Sequence, residues 1–160
     1  MIDDYSMEKK EILKGGFTII VPKEIIEMSD TIAQIKYPAQ NRPPIILTNA
    51  AATVDYKFTY IDESVDIMAL EQLIREAKTN LKRVFTGIEY YEEKFVLIND
   101  TRLGWFDYTS PAIGGNLYNI SFFTWIKEKL LQGTFTCEYE DAYKWRESFI
   151  RSIMSIGESE

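Results

Sequence analysis

The chain has 160 residues, a length typical of one domain that can enclose an apolar core. Hydrophobic residues make up 46% and aromatic residues 14%, which excludes a disordered chain. The formal net charge is -7 with no cluster of Lys and Arg, which disfavours nucleic acid and anionic membranes as partners.

Cys137 is the only cysteine, so no intrachain disulfide can form and a reducing cytoplasm is favoured. Its alternating surroundings predict a buried, inert thiol. The acidic N-terminus has no apolar signal region, and no apolar run approaches the roughly 20 residues of a membrane span. We therefore expect a cytoplasmic protein without a membrane span, provided that Met1 is the natural start.

Residues 1–14 are polar and predict a flexible N-terminal segment, with a short helical turn around residues 6–14. Residues 15–156 are expected to form a single domain, followed by a flexible tail at residues 157–160. The β-branched and aromatic run Phe17–Val21 predicts a first strand, and Pro22 ends it.

The next segment combines weak patterns with a proline-rich loop. Residues 24–28 fit one helical turn, and Ile32–Tyr37 fits a second strand. Three prolines within seven residues, from Pro38 to Pro44, remove amide donors and exclude helix there.

The middle of the chain carries the clearest periodicity. Residues 45–48 and 54–60 predict two strands joined by a turn at 49–52. A helix is predicted from residues 62–64 to Phe85, because its apolar residues recur at intervals of three and four: Ile67, Leu70, Leu73, Ile74, Ala77, Leu81, Val84 and Phe85. Gly87 is expected to end this helix in a left-handed conformation.

From Ile88 the period changes to two, which predicts strands at about 89–91, 93–98, 103–109, 116–124 and 133–139. Turn residues separate them at Asn99-Asp100, at Ser110-Pro111 with Gly114-Gly115, and at Lys127-Glu128-Lys129. Such short connections require antiparallel neighbours, so these strands form a meander.

A closing helix is predicted from Glu140 to about Ile156, with Arg146 the single charge in its apolar stripe. The fold class is therefore α+β. Since each helix has one apolar stripe and a sheet has two faces, we expect one helix on either side of the antiparallel sheet.

This order of elements resembles the Mog1/PsbP-like superfamily. The resemblance is carried by Phe17-Thr18-Ile19-Ile20-Val21-Pro22, the helix from Ile67 to Phe85, the aromatic meander, and the closing pattern Trp145, Phe149, Ser152, Ile153 and Ile156. It implies an α/β/α sandwich around an antiparallel sheet. It also implies a non-enzymatic role, since members bind small GTPases, serve photosystem assembly or chaperone secreted toxins. It transfers no binding residue to a position of this chain.

The chain contains no histidine, which excludes Ser-His-Asp triads, Cys-His pairs and His-based metal sites within it. Neither glycine pair is followed by a phosphate-binding pattern. We expect no enzyme activity, no cofactor and no metal. The carboxylates that could still act are Asp62, Glu63, Glu89, Glu92, Glu93, Asp100, Asp107, Glu138, Glu140 and Asp141.

Asp107 and the acidic cluster at residues 138–141 also have structural interpretations. Asp107 lies inside an aromatic strand, where pairing with Arg102 or a lysine is favoured over catalysis. Residues 138–141 lie where a helix begins, so the helix dipole stabilises their charge.

Aromatic density is the remaining unusual feature, with ten tyrosines, nine phenylalanines and three tryptophans. Half of the rings of the meander should point away from the first helix, where either the second helix covers them or they form a binding surface. The candidate binding residues are Tyr37, Asn41 and Arg42 in the proline loop, and Trp105, Asp107 and Tyr118 in the meander.

The leading hypothesis is a non-enzymatic adaptor or chaperone-like module that binds another protein, or a second copy of itself, through the aromatic sheet face and the proline loop. It predicts a contiguous exposed apolar patch. One alternative is a small-ligand or lipid-binding domain with a concavity between sheet and helix. The other is a carboxylate-dependent hydrolase or metal-binding enzyme.

Overall fold

A computed structural model describes residues 7–12, 16–38, 43–61 and 69–159. Its elements are, in chain order, β1 (Met7–Ile12), β2 (Phe17–Pro22), β3 (Ile26–Glu27), α1 (Asp30–Lys36), β4 (Ile45–Thr48), β5 (Asp55–Ile61), α2 (Leu70–Val84), β6 (Glu89–Ile98), β7 (Thr101–Ala112), β8 (Gly115–Ile126), β9 (Lys129–Glu138), α3 (Ala142–Met154) and β10 (Gly157–Glu158). The predicted helix start at residues 62–64 lies outside the described residues.

A seven-stranded sheet with the order β3-β4-β5-β9-β8-β7-β6 forms the centre of the fold. Each neighbouring pair of strands is antiparallel. Strands β6 to β9 are consecutive, so the predicted meander is confirmed. Its turns at Asn99-Asp100 and Lys127-Glu128 have positive φ at both residues, as two-residue hairpins require.

Helices lie on both faces of this sheet. Helix α2 places Leu70 and Ile74 against Phe106, Tyr108 and Phe123. On the opposite face, α3 buries Phe149 and Ile153 in a larger core that includes the small sheet β1-β2-β10. The alternation along β7 divides its side chains between the two cores. The α+β class and the α/β/α sandwich predicted from the sequence are therefore confirmed.

Local predictions near both ends of the chain are wrong. Met7–Ile12 is a strand paired with β2, not a helical turn, and its polar sequence reflects an edge position in which only Ile12 is buried. Residues 26–27 form the short strand β3 instead of part of a helical turn. Near the other end, Gly157–Glu158 also pairs with β2, so both segments expected to lie outside the domain contribute strands.

Residues 32–37, predicted as a strand, belong mainly to α1. The Ser29 side chain accepts a hydrogen bond from the Ile32 N–H, and Asp30 and Lys36 have the charges that a helix dipole favours at its start and end. Ala33 is the only buried residue of this helix, and it packs against Met28 and Ile46. So narrow an apolar stripe cannot be distinguished from strand alternation in so short a segment.

Candidate functional site

A groove lies on the α2 face of the sheet, because α2 packs on β7 and β8 and leaves the part of this face formed by β5 and β9 uncovered. Its volume is about 590 Å³, within the range of ligand-binding clefts. We call it the groove. It is lined by Lys36, Tyr37, Pro43, Thr53, Asp55, Lys57, Thr59, Leu81, Phe85, Tyr108, Ser110, Pro111, Ala112, Leu117, Asn119, Gln132, Thr134 and Thr136.

The floor of the groove is polar because of strand alternation. On β5 and β9, one set of side chains enters the α3 core, and the alternate set faces the groove. Many of these polar groups bond to one another. Gln132 Nε2 donates to Thr134 Oγ1 at 3.0 Å, and Thr136 Oγ1 donates to Asn119 Oδ1 at 2.8 Å.

One wall of the groove is held by Asp55, which is buried. Its Oδ2 accepts from the Tyr37 hydroxyl and lies 2.7 Å from Lys36 Nζ. Its Oδ1 accepts from Thr48 Oγ1 at 2.9 Å. These bonds tie the end of α1 and the start of the proline loop to β5. Burial, followed by the charge of Asp55, raises the pKa of Tyr37 well above its usual range, so the ring stays neutral.

The opposite wall is the C-terminal part of α2. This end of the helix does not pack closely on the sheet, and the Val84 and Phe85 side chains are 71% and 44% exposed. A second cavity of about 290 Å³ runs beneath this end of the helix and shares Leu81, Phe85, Tyr108, Gln132 and Thr134 with the groove. An exposed apolar edge therefore continues directly into the groove.

Lys57 is the charged group on the floor. Its ammonium lies 5.5 Å from the centroid of the Tyr37 ring. Burial lowers the pKa of Lys57 below its ordinary value of 10.5, and the nearby charge of Lys36 acts in the same direction, whereas Asp55 opposes it. The protonated form of Lys57 is therefore less stable in the folded protein than in water.

The binding residues predicted from the sequence do not lie together on one surface. Tyr37 lines the groove, and Asn41 and Arg42 lie outside the described residues. Trp105, Asp107 and Tyr118 are only 2%, 1% and 3% exposed and lie on the opposite, α3-covered face. The expectation of an open aromatic face formed by these residues is therefore wrong, because the helical layers cover the rings of β7 and β9 and most of those of β8. Tyr91 and Phe95, on the edge strand β6, remain exposed.

Asp107 instead holds the α3 face together. It accepts hydrogen bonds from the Glu92 N–H at 2.8 Å, from the Tyr118 hydroxyl at 2.7 Å and from Arg146 Nε at 3.0 Å. The predicted pairing with Arg102 is wrong, since Arg102 bonds to Glu71 on α2. The favoured interpretation of Asp107 as a paired, structural carboxylate agrees with these contacts.

Sequence reasoning missed the polar floor of the groove. Its signal is present, because Lys57 and Thr59 alternate with buried aromatic residues on β5, and Gln132, Thr134 and Thr136 alternate in the same way on β9. That pattern predicts a half-buried sheet face. It does not reveal that two such faces lie side by side, because β5 and β9 are far apart in sequence and adjacent in the sheet.

The groups usual in catalysis are sparse in this structure. Within the described ranges, no group of three or more Cys, Asp and Glu side chains is placed to hold a metal ion. Burial raises the pKa of the Cys137 thiol to about 12, with Asp141 and Glu138 adding to the effect. No helix among the described residues is long and apolar enough to cross a membrane.

No protein-family model matches the sequence, and no curated protein matches it. Solved structures do match over nearly the whole chain. Cyanobacterial PsbP (CyanoP) from Synechocystis has a TM-score of 0.67 at 12% identity, covering 99% of this chain and 95% of its own. The Ran-binding protein Mog1p from Saccharomyces cerevisiae has a TM-score of 0.63 at 11% identity, with 94% of each chain covered.

LpqN of Mycobacterium tuberculosis, described as involved in cell envelope biogenesis, is also similar, with a TM-score of 0.61 at 11% identity over 98% of this chain and 96% of its own. At such low identities the likeness establishes the fold and no more. The Mog1/PsbP-like resemblance noted in the sequence is confirmed at that level.

Proposed function

We propose that this chain, which has the Mog1/PsbP-like fold, is a non-enzymatic protein-binding module that holds a segment of its partner in the groove. The observation that carries the proposal is the incomplete cover of the sheet by α2, which leaves a groove of about 590 Å³ beside an exposed apolar helix edge. Mog1p, a Ran-binding protein by its description, gives the fold one precedent for protein binding.

The rims of the groove have the composition expected of an interface. Phe85 and Pro111 supply apolar contact area, with Val84 beside them at the adjoining cavity, and Tyr37 supplies a ring with a polar tip. Ile113, fully exposed at the tip of the β7–β8 hairpin, extends this apolar rim beyond Pro111. Exposed apolar groups arranged around a concave surface mark a binding site more specifically than scattered ones.

The proline loop contributes to the same surface, since Tyr37 and Pro43 both line the groove. Anchoring of Tyr37 by Asp55 fixes one end of the loop, which reduces the entropy lost when a partner binds. The adaptor or chaperone-like role, the cytoplasmic location and self-association remain predictions.

Affinity capture from the native host tests the proposal. The wild-type chain, the rim variant Phe85→Ala and the control Tyr143→Ala would be compared, because Tyr143 is an exposed ring on α3 at the opposite face. The expected result is one identified protein retained by the wild type and by Y143A, and depleted with F85A. Equal retention by F85A and Y143A would place the binding surface elsewhere.

Site-specific crosslinking gives an independent readout. A photoreactive benzoylphenylalanine at Val84 should crosslink to the captured protein, and the same group at Tyr143 should not. A crosslink from position 143 alone would contradict the groove as the binding surface.

A small-molecule ligand is the second candidate function, favoured by the groove volume and its polar floor. Native mass spectrometry of the purified chain distinguishes the two. A discrete small adduct that Phe85→Ala removes supports the ligand, and an unmodified mass favours the protein segment.

A further inference from the structure

Lys57 is a cation without a matching anion in the groove. Of the two oxygens of Asp55, Oδ2 is bonded to Tyr37 and Lys36, and Oδ1 to Thr48. Within the described part of the chain, no carboxylate lies at ion-pair distance from the Lys57 ammonium, whose contact is the Tyr37 ring. A partly buried ammonium of this kind normally acquires a partner, since burial without one is unfavourable.

The charge of the groove is opposite in sign to that of the whole chain. Its described lining residues include two ammonium groups, Lys36 and Lys57, and one carboxylate, Asp55, leaving one unit of positive charge. The chain as a whole carries -7. A positive concavity on an acidic protein attracts an anionic group and repels a cationic one.

Thr59 supplies a second donor close to this charge. It lies two positions from Lys57 on β5, so both side chains face the groove, about 7 Å apart along the strand. Neither the Thr59 hydroxyl nor the Lys57 ammonium has a hydrogen-bond acceptor among the residues that the structure describes. One carboxylate placed over β5 could accept from both groups.

We propose that Lys57 is a specificity-determining residue of the groove, and that the partner segment is an acidic peptide whose carboxylate contacts Lys57 while its apolar side chains pack on Leu81 and Phe85. This inference rests on the proposed function. The lowered pKa of Lys57 is consistent with it, because a bound carboxylate would restore the charged form. Part of the binding energy would then depend on the protonation of this one amine.

Selection from a displayed random peptide library tests the proposal. The library would be panned against the wild-type chain and against Lys57→Met, which keeps a side chain of similar length without its charge. The expected result is enrichment of Asp or Glu beside aliphatic or aromatic residues with the wild type, and loss of that acidic enrichment with K57M.

The affinity of one selected peptide would then be measured by fluorescence anisotropy. We expect a loss of about tenfold or more with Lys57→Met, a similar loss when the acidic residue of the peptide is changed to its amide, and little further loss when both changes are combined. Lys94→Met is the control, since Lys94 is an exposed lysine on the edge strand β6, and it should leave the affinity unchanged.

The possible outcomes separate the two proposals. Peptides that bind without acidic enrichment, and lose affinity with Phe85→Ala but not with K57M, would overturn the role of Lys57 and leave the groove as a binding surface. If no selected peptide lost affinity with F85A, both the groove as a binding surface and the role of Lys57 would be overturned. If hexanoate bound saturably and no peptide bound, the acidic peptide would be ruled out as the partner, and the groove would be assigned to small carboxylic acids.

Discussion

Arg146 Nε donates a hydrogen bond to Asp107 Oδ2 at 3.0 Å, joining the closing helix to the centre of the sheet. The guanidinium also lies 5.9 Å from the centroid of the Trp105 ring and 2.9 Å from Glu92 Oε1. This contact explains why the apolar stripe of α3 contains one charge. With the bonds from the Glu92 N–H and the Tyr118 hydroxyl, Asp107 thus accepts from three separate elements, β6, β8 and α3.

Removal of the Asp107 carboxylate should destabilise the fold. Asp107→Ala deprives the Tyr118 hydroxyl, the Glu92 N–H and Arg146 of their acceptor, and we expect a loss of about 3 kcal/mol in the free energy of unfolding. Urea denaturation followed by circular dichroism measures it. Glu71→Gln, which alters an exposed pair with Arg102, is the control and should hardly move the midpoint. A midpoint for D107A equal to that of E71Q would contradict the structural role.

Gly133 should tolerate no side chain. It pairs with Phe122 in the sheet, and a Cβ at this position would clash with Cε1 and Cζ of that ring. Because the ring is fully buried among other aromatic residues, Gly133→Ala should cost about 1–3 kcal/mol through overpacking.

Thermal unfolding of Gly133→Ala beside Gly157→Ala tests this expectation. A Cβ at Gly157 would meet only Thr18 Oγ1 at 3.6 Å, an ordinary contact. The melting temperature should therefore fall clearly for G133A and little for G157A. Similar melting temperatures for both variants would show that Phe122 can move aside.

Cys137 should resist thiol reagents in the folded protein. It is fully buried, and burial raises its pKa to about 12, so both access and thiolate content are low. With Ellman's reagent at mildly alkaline pH, we expect labelling at the rate of unfolding, and rapid stoichiometric labelling in concentrated guanidinium chloride. Fast labelling of the native chain would mean that β9 opens readily to solvent.

Lys57 should make stability depend on pH. Its folded-state pKa lies below the unfolded value, so the unfolded chain binds more protons between the two values and stability rises with pH through that interval. Below it, the charged amine destabilises the fold. Charged and titratable groups facing Lys57 are Asp55, Lys36 and Tyr37, and all three are common to the wild type and to a Lys57→Met variant.

Urea denaturation at several pH values would compare the wild type with Lys57→Met. We expect K57M to be the more stable protein at neutral pH and its advantage to shrink as the pH approaches 10.5. Greater stability of the wild type at neutral pH would mean that the contact with Tyr37 outweighs the cost of burying the charge.

Local sequence patterns determined much of the architecture. The meander from β6 to β9, the two long helices and their positions on opposite faces follow from periodicity and turn residues that lie close together in the chain. The short elements and the edge strand β1 could not be predicted from such patterns. β1 and α1 each have a single buried side chain, so no apolar pattern marks them.

The candidate site depended on the tertiary structure. The sequence by itself established the absence of histidine, the lone buried thiol and the α+β fold, because these follow from composition and from contacts close in sequence. Only the folded chain decided that the helices cover Trp105 and Tyr118, that Asp107 pairs with Arg146, and that Lys57 faces a groove. Those facts depend on β5 inserting beside β9 and on how far α2 extends over the sheet, which are long-range relationships that no local pattern contains.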